Sequence, residues 1–163
     1  MDAGETAAVS VPKPDPKECD HVWEQLSSKS IEDQKDANQE ISKGMANSPS
    51  MAGTKRGYDF ENKAIDANKD VLDIQSCGAE YKCKLCGIGQ EVDIVGKDQI
   101  AEAKSRTAKG VKNKSKQCTN YKDIQKKLFD PDTPPMAKLD SEHPQHDAAG
   151  EVYKRRGFVT EVV

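Results

Sequence analysis

The stretch Tyr81–Val92, YKCKLCGIGQEV, contains two cysteines that are separated by two residues and followed by a glycine. This spacing allows a tight turn to point both sulfur atoms the same way, and Gly87 permits the left-handed backbone that often follows such a turn. The residues around the turn, which include Tyr81, Val92 and Ile94, are common in strands. The stretch therefore predicts a strand, a tight cysteine turn and a second strand.

A second pair of zinc-type ligands lies upstream, where Cys19 and His21 are separated by one residue and Trp23 follows two residues later. Together with Cys83 and Cys86 they form a Cys₃His set, which is one of the sets that bind zinc in structural sites. Four protein ligands leave no position for water or substrate, so the metal stabilises the fold. The sequence therefore predicts zinc as the cofactor, with Cys19, His21, Cys83 and Cys86 as its ligands.

Other interpretations of the cysteines and histidines are open. Cys77 can replace one of the two upstream ligands and Cys118 is a more distant candidate; otherwise both are spare thiols. A redox-active Cys-x-x-Cys pair is followed by a long helix, whereas GIGQEVDIV contains two glycines and then strand-forming residues. His143 and His146 lie in a proline-containing segment, which fits a solvated loop better than a second metal site.

The pattern Cys-x-His followed by Cys-x-x-Cys-Gly resembles the zinc ribbons of many small proteins, including those of phages and other viruses. The resemblance covers residues 19–26 and 79–95, with Trp23 in the place of the aromatic residue that packs on the site. It implies two hairpins around a structural zinc ion and a role as a component of a phage or another virion. The insertion between His21 and Cys83 is longer than in compact ribbons, but closing a longer loop costs only about 0.6 kcal/mol per doubling of its length.

The composition argues against one large hydrophobic core. Only 34% of the 163 residues are hydrophobic, 5% are aromatic and 33% are charged, whereas globular domains are about half apolar. We therefore expect a small α+β fold in which a zinc-ribbon β-hairpin nucleus carries a helical insertion and extended, partly disordered arms. The expected divisions are a proline-rich tail (1–18), the ribbon (19–96) with a polar, partly helical insertion at about 27–76, a basic segment (97–128), and a proline-rich linker with a C-terminal tail (129–163).

Local patterns predict two helices in the insertion. A faint stripe that includes Ile31 and Ile41, with Ser30 as a capping residue, predicts a helix over 30–44. A second stripe predicts a helix over about 59–74. The segment GMANSPSMAGTKRG between them contains three glycines and a proline, and it is typical of a loop.

Two further segments follow the cysteine turn. KDQIAEAKSRTAKG, at 97–110, predicts a helix that ends at Gly110, because glycine commonly follows the last turn of a helix. EVYKRRGFVTEVV, at the end of the sequence, predicts a short strand or hairpin.

Charge is distributed unevenly along the chain. The formal net charge is −3, yet residues 102–127 contain nine lysines or arginines against two acidic residues, so this stretch carries +7. Clustered cations with polar side chains between them suit contact with nucleic-acid phosphates, and the other interpretation is a solvated surface. The candidate nucleic-acid-binding residues are Lys104, Arg106, Lys109, Lys112, Lys114 and Lys116.

No sequence motif of a known enzyme mechanism is present. The chain contains no P-loop, nucleophile elbow or glycine-rich dinucleotide loop, no apolar run long enough to span a membrane, and no secretory signal at its acidic start. We therefore expect a non-enzymatic zinc-binding structural or interaction protein, either intracellular (cytoplasmic or nuclear) or in a virion, which binds protein partners in a larger assembly and no membrane. The alternative is an accessory factor that binds nucleic acid through residues 102–127.

Overall fold

The computed structural model describes residues 12–68 and 72–163, which form a mixed β-sheet with helices packed on it. The strands are β1 (Trp23–Lys29), β2 (Ser76–Cys83), β3 (Gly89–Val95), β4 (Ile100–Ala103), β5 (Met136–Leu139) and β6 (Val159–Val162). The helices are α1 (Ile31–Gly44), α2 (Ala52–Asn68), α3 (Ala108–Lys112), α4 (Ser115–Leu128) and α5 (His146–Arg155), with a short 3₁₀ helix (Pro49–Met51) before α2.

The six strands of the described residues lie side by side in sequence order. Strands β1 to β4 are antiparallel neighbours, whereas β4, β5 and β6 run parallel. The predicted α+β class is therefore confirmed. Within the described ranges, no helix is both long enough and apolar enough to cross a membrane.

The stretch Tyr81–Val92 forms the turn between β2 and β3, as the sequence predicts. Cys83 ends β2, and the turn closes with hydrogen bonds from Gly87 N to Cys83 O (3.0 Å) and from Cys83 N to Ile88 O (2.9 Å). Gly87 has a φ of +82°, a left-handed conformation that favours glycine. The predicted strand, tight turn and strand are confirmed.

The first helix of the insertion, α1, begins and ends close to its predicted bounds of 30–44. The Ser30 hydroxyl caps it by accepting a hydrogen bond from Asp33 N (3.1 Å). The buried residues of α1 are polar: Gln34, Asn38 and Ser42. Polar side chains therefore attach this helix to its neighbours.

The second helix, α2, begins earlier than its predicted start at 59. The loop predicted for GMANSPSMAGTKRG is wrong from Pro49 onward, because this part forms the 3₁₀ helix and the first turns of α2. The predicted end at 74 is wrong as well, since Leu72 already lies in a turn. Residues 69–71 of this prediction lie outside the described residues.

The helix predicted over 97–110 is wrong, because its first half forms strand β4. All four residues of β4 are buried, and the strand pairs with β3 on one side and with β5 on the other. Helix α3 begins only after Thr107, whose hydroxyl accepts a hydrogen bond from Gly110 N (3.0 Å). An alanine-rich sequence favours a helix locally, but burial between two strands outweighs this weak preference.

The predicted linker and tail at 129–163 contain β5, α5 and β6. Their core is aromatic: the ring of Phe158 lies 5.3 Å from that of Tyr153 and 6.0 Å from that of Tyr121 in α4, and all three side chains are buried. The expectation of an extended, partly disordered arm is therefore wrong for these residues. A few large side chains at one place form a core that the average composition does not reveal. Of the predicted tail, residues 1–11 lie outside the described residues.

Two hydrophobic clusters cover the two faces of the sheet. One contains Tyr81, Val95 and Ile100 together with residues of α3, α4 and α5, and the other contains Ile94 and Ala101 together with residues of α2. Neighbours such as Ile94 and Val95 belong to different clusters because side chains alternate between the faces along a strand. The core therefore extends well beyond the cysteine turn.

Candidate metal centre

Strand pairing brings the two halves of the predicted ligand set together. Cys19 and His21 lie just before β1, Cys83 ends β2, and Cys86 lies in the turn that follows. The register pairs Trp23, the first residue of β1, with Cys83. The long insertion leaves this arrangement intact, since it connects two strands that pair directly.

The four ligand atoms lie close enough together to hold one metal ion, and two of their separations match a tetrahedral site. They lie within 4.8 Å of one another, with 3.8 Å between the Cys19 and Cys83 sulfur atoms and 3.4 Å between Cys86 Sγ and His21 Nδ1. Zinc–sulfur bonds of about 2.3 Å and zinc–nitrogen bonds of about 2.0 Å at tetrahedral angles require about 3.8 Å and about 3.5 Å between the ligand atoms. All three thiols are free. This Cys₃His group can hold a metal ion.

Hydrogen bonds around Cys83 favour its thiolate. Burial raises the pKa of this thiol, but the backbone N–H groups of Cys86, Val22 and Leu85 outweigh burial and hold the pKa at about 6. The Leu85 N–H donates to Cys83 Sγ at 3.4 Å. Burial, followed by the neighbouring thiols of Cys86 and Cys83, raises the pKa of Cys19 to about 12. The Cys83 thiolate is therefore stable at neutral pH without a metal. Cys19 ionises at neutral pH only beside the charge of a cation.

Contacts with α4 hold the upstream half of the ligand set. The rings of Trp23 and His21 lie 4.9 Å apart, and Trp23 Nε1 donates to Asp123 Oδ2 (2.8 Å). Lys127 Nζ donates to Asp20 Oδ1 and to the His21 carbonyl oxygen, each at 2.7 Å. The segment before β1 is therefore fixed against α4, and the aromatic contact expected of Trp23 is present.

The other cysteines and histidines lie outside this group. Cys77 is buried with residues of α2, and Cys118 is buried in α4 with its sulfur 3.8 Å from an Arg156 nitrogen. His143 and His146 lie before and at the start of α5, where each is hydrogen-bonded to the backbone. In the part of the chain that the structure describes, the four predicted ligands are the metal-binding group that the fold brings together.

The six predicted nucleic-acid-binding residues lie in two different environments. Lys104 and Arg106 form ion pairs with buried acidic residues. The other four are exposed on α3, on α4 and on the connection between these helices; they are Lys109, Lys112, Lys114 and Lys116. The sequence does not distinguish Lys104 and Arg106 from the four exposed lysines, because residues 97–110 have the pattern of a single helix.

The sequence analysis missed a buried group of acidic residues around Lys104. Lys104 Nζ lies 3.2 Å from Asp93 Oδ1 of β3 and 3.3 Å from Glu61 Oε2 of α2. Glu102 lies in β4, and its carboxylate accepts a hydrogen bond from Tyr153 OH (2.8 Å). The three acidic residues are at most 4% exposed. We call Glu61, Asp93, Glu102 and Lys104 the carboxylate–lysine cluster. The alternation of polar and small apolar residues in AEAK was the available signal, since it is typical of a strand.

The cluster contains acids with a strongly perturbed affinity for protons. Burial, followed by the charge on Asp93, raises the pKa of both Glu61 and Glu102 from 4.5 to about 7. The same charge on Asp93 raises the pKa of the Lys104 ammonium, against the opposing effect of burial. Lys104 therefore stays protonated. Its positive charge lowers the pKa of Glu61 by less than burial and the Asp93 charge raise it. Acids in such an environment are stabilised by an added cation.

Polar side chains of α4 also reach the cluster. Gln117 Nε2 donates a hydrogen bond to Glu102 Oε1, and the Tyr121 hydroxyl oxygen accepts one from Asp93 N (3.1 Å). Four elements, α2, β3, β4 and α4, therefore meet at these acids.

A cavity of about 310 Å³ adjoins the segment that follows the cluster. It is lined by three cations and three acids, together with Ala52 and Phe60: Lys55, Arg56, Lys63, Asp59, Asp140 and Glu142. Asp140 accepts a hydrogen bond from Ser105, the residue directly after Lys104 (3.0 Å). Lys55 pairs with Asp59 at 2.7 Å, so the acids of the lining balance its cations.

Comparisons of this chain with models of known protein families, with curated proteins and with solved structures find no match. The resemblance to zinc ribbons therefore stays a prediction, and the function is argued from the metal centre.

Proposed function

We propose that Cys19, His21, Cys83 and Cys86 bind one zinc ion, which holds the segment before β1 on the cysteine turn. The observation that supports this proposal is the spacing of the four ligand atoms, two of whose separations match a tetrahedral site. Thiolates and an imidazole suit zinc, whereas magnesium and calcium prefer oxygen ligands. Four protein ligands leave no open position, so the role of this zinc is structural.

The zinc content of the purified protein tests this proposal. We expect one zinc ion per chain in the wild type and its loss in Cys83→Ser, because that substitution removes a thiolate ligand. Cys118→Ser is the matched control, since Cys118 is also a buried free thiol but lies outside the group. A wild-type chain that folds without zinc, or a Cys83→Ser variant that retains it, contradicts the proposal.

A further inference from the structure

We infer that the exposed lysines of α3 and α4 bind the phosphate backbone of a nucleic acid. This inference goes beyond the proposed zinc site, because these lysines lie outside the metal centre. The lysine surface consists of Lys109, Lys112, Lys114 and Lys116. It excludes Lys104 and Arg106, which the sequence pattern had grouped with it.

The lysine surface carries positive charge that the described part of the protein leaves unneutralised. All four side chains are exposed, and none of them forms an ion pair within 4.0 Å among the described residues. No acidic residue lies in the first turn of α3 or of α4. Four cations without acidic neighbours attract a polyanion and gain affinity by releasing its counterions.

The lysine surface lies next to the carboxylate–lysine cluster. Only Ser105, Arg106 and Thr107 separate Lys104 from α3. On the other helix, Gln117 directly follows Lys116 and donates a hydrogen bond to Glu102. The lysine surface therefore lies on backbone next to residues that the buried cluster holds in place.

Contacts with α5 fix the lysine surface in position. Arg156 donates hydrogen bonds from one nitrogen to the Val111 carbonyl oxygen (2.6 Å) and from another to that of Lys112 (2.8 Å). Arg155, in the last turn of α5, adds another exposed cation beside this contact. Holding the backbone of α3 in place lowers the ordering cost when a rigid polyanion binds.

The contact is with phosphate rather than with bases. The four side chains are lysines, which act as point charges, and the surface has no aromatic side chain on which a base stacks. We therefore expect binding without sequence preference. The affinity should fall steeply with salt, with a slope of log affinity against log salt concentration of about −0.9 per phosphate contact.

Fluorescence anisotropy with a labelled DNA of 20 nucleotides, single-stranded and as a duplex, tests the inference without added divalent cation. The test variant changes all four residues of the lysine surface to glutamine. The matched control changes four exposed lysines elsewhere, Lys29, Lys43, Lys82 and Lys97, so that both variants have the same net charge. All proteins are compared at several salt concentrations, and their melting temperatures verify that they fold.

The wild type and the control should bind DNA alike, and the test variant should bind at least tenfold more weakly with a salt slope smaller by about 3 to 4. Equal binding by the two variants overturns the inference, as does binding that is insensitive to salt or found only with anionic lipid vesicles.

Discussion

Lys104 and the acids around it show how one buried charge changes the properties of its neighbours. Asp93 attracts the ammonium and repels the other two carboxylates, and burial penalises every ionised form. In the folded protein Glu61 and Glu102 therefore hold a proton up to a pH of about 7, whereas their ordinary pKa is 4.5. The folded state binds more protons than the unfolded state between these values. These groups therefore stabilise the fold below about pH 4.5, and this contribution is lost as the pH rises towards 7.

Glu102→Gln should remove its part of this pH dependence, because glutamine resembles the protonated acid at every pH. We expect the variant to gain stability relative to the wild type between pH 5 and pH 8, by on the order of 2–3 kcal/mol. Urea denaturation of both proteins across this range measures the difference, and loss of zinc at low pH affects both equally. Glu151→Gln serves as the control, since Glu151 is exposed. A constant difference between wild type and Glu102→Gln would show that the carboxyl group has an ordinary pKa.

At the scale of elements, α1 is attached by polar contacts. Gln34 Nε2 donates to Asn38 Oδ1 (2.9 Å), and Asn38 Nδ2 donates to Asn62 Oδ1 of α2 (2.9 Å). Ser42 donates to Asp59 of the same helix. Ile41, part of the stripe that predicted this helix, is exposed instead. The position of α1 was therefore predictable from its cap and length, but its buried face was not.

Asn38→Ala should destabilise the protein by about 1–3 kcal/mol, because it removes the acceptor of the buried Gln34 amide and the donor to the half-buried Asn62 carbonyl oxygen. Ile41→Ala should change the stability by less than about 0.5 kcal/mol, although it removes more apolar surface, since this side chain is exposed. Thermal unfolding of the two variants compares these effects directly. A larger loss in Ile41→Ala would mean that α1 packs through its apolar stripe, as the sequence pattern suggests.

The strands differ in how far their sequences predict them. The hairpin of β2 and β3 was predictable, because its two strands flank a local turn with two cysteines and a glycine. The last segment of the sequence also predicted a strand, and β6 lies within it. Strands β4 and β5 were not predicted, since residues as distant as Ala103 and Lys138 pair in register and the connection between them contains two helices. Parallel pairing leaves no local signal, and it decides whether a short alanine-rich segment becomes strand or helix.

At the scale of the whole molecule, the metal centre was predictable from the sequence, whereas the carboxylate–lysine cluster was not. The metal centre combines two short motifs at the ends of paired strands, so residue type and spacing were enough to select its four ligands. The carboxylate–lysine cluster draws its residues from α2, β3 and β4, and they share no motif in the sequence. A metal ion in this centre would add to the contacts with α4 that hold the segment before β1.

The zinc K-edge X-ray absorption spectrum of the purified protein tests the central claim most directly. A Cys₃His site predicts three sulfur neighbours at about 2.3 Å and one nitrogen neighbour at about 2.0 Å, with no water ligand. A protein that contains no zinc, or whose zinc has only oxygen and nitrogen neighbours, would contradict the account.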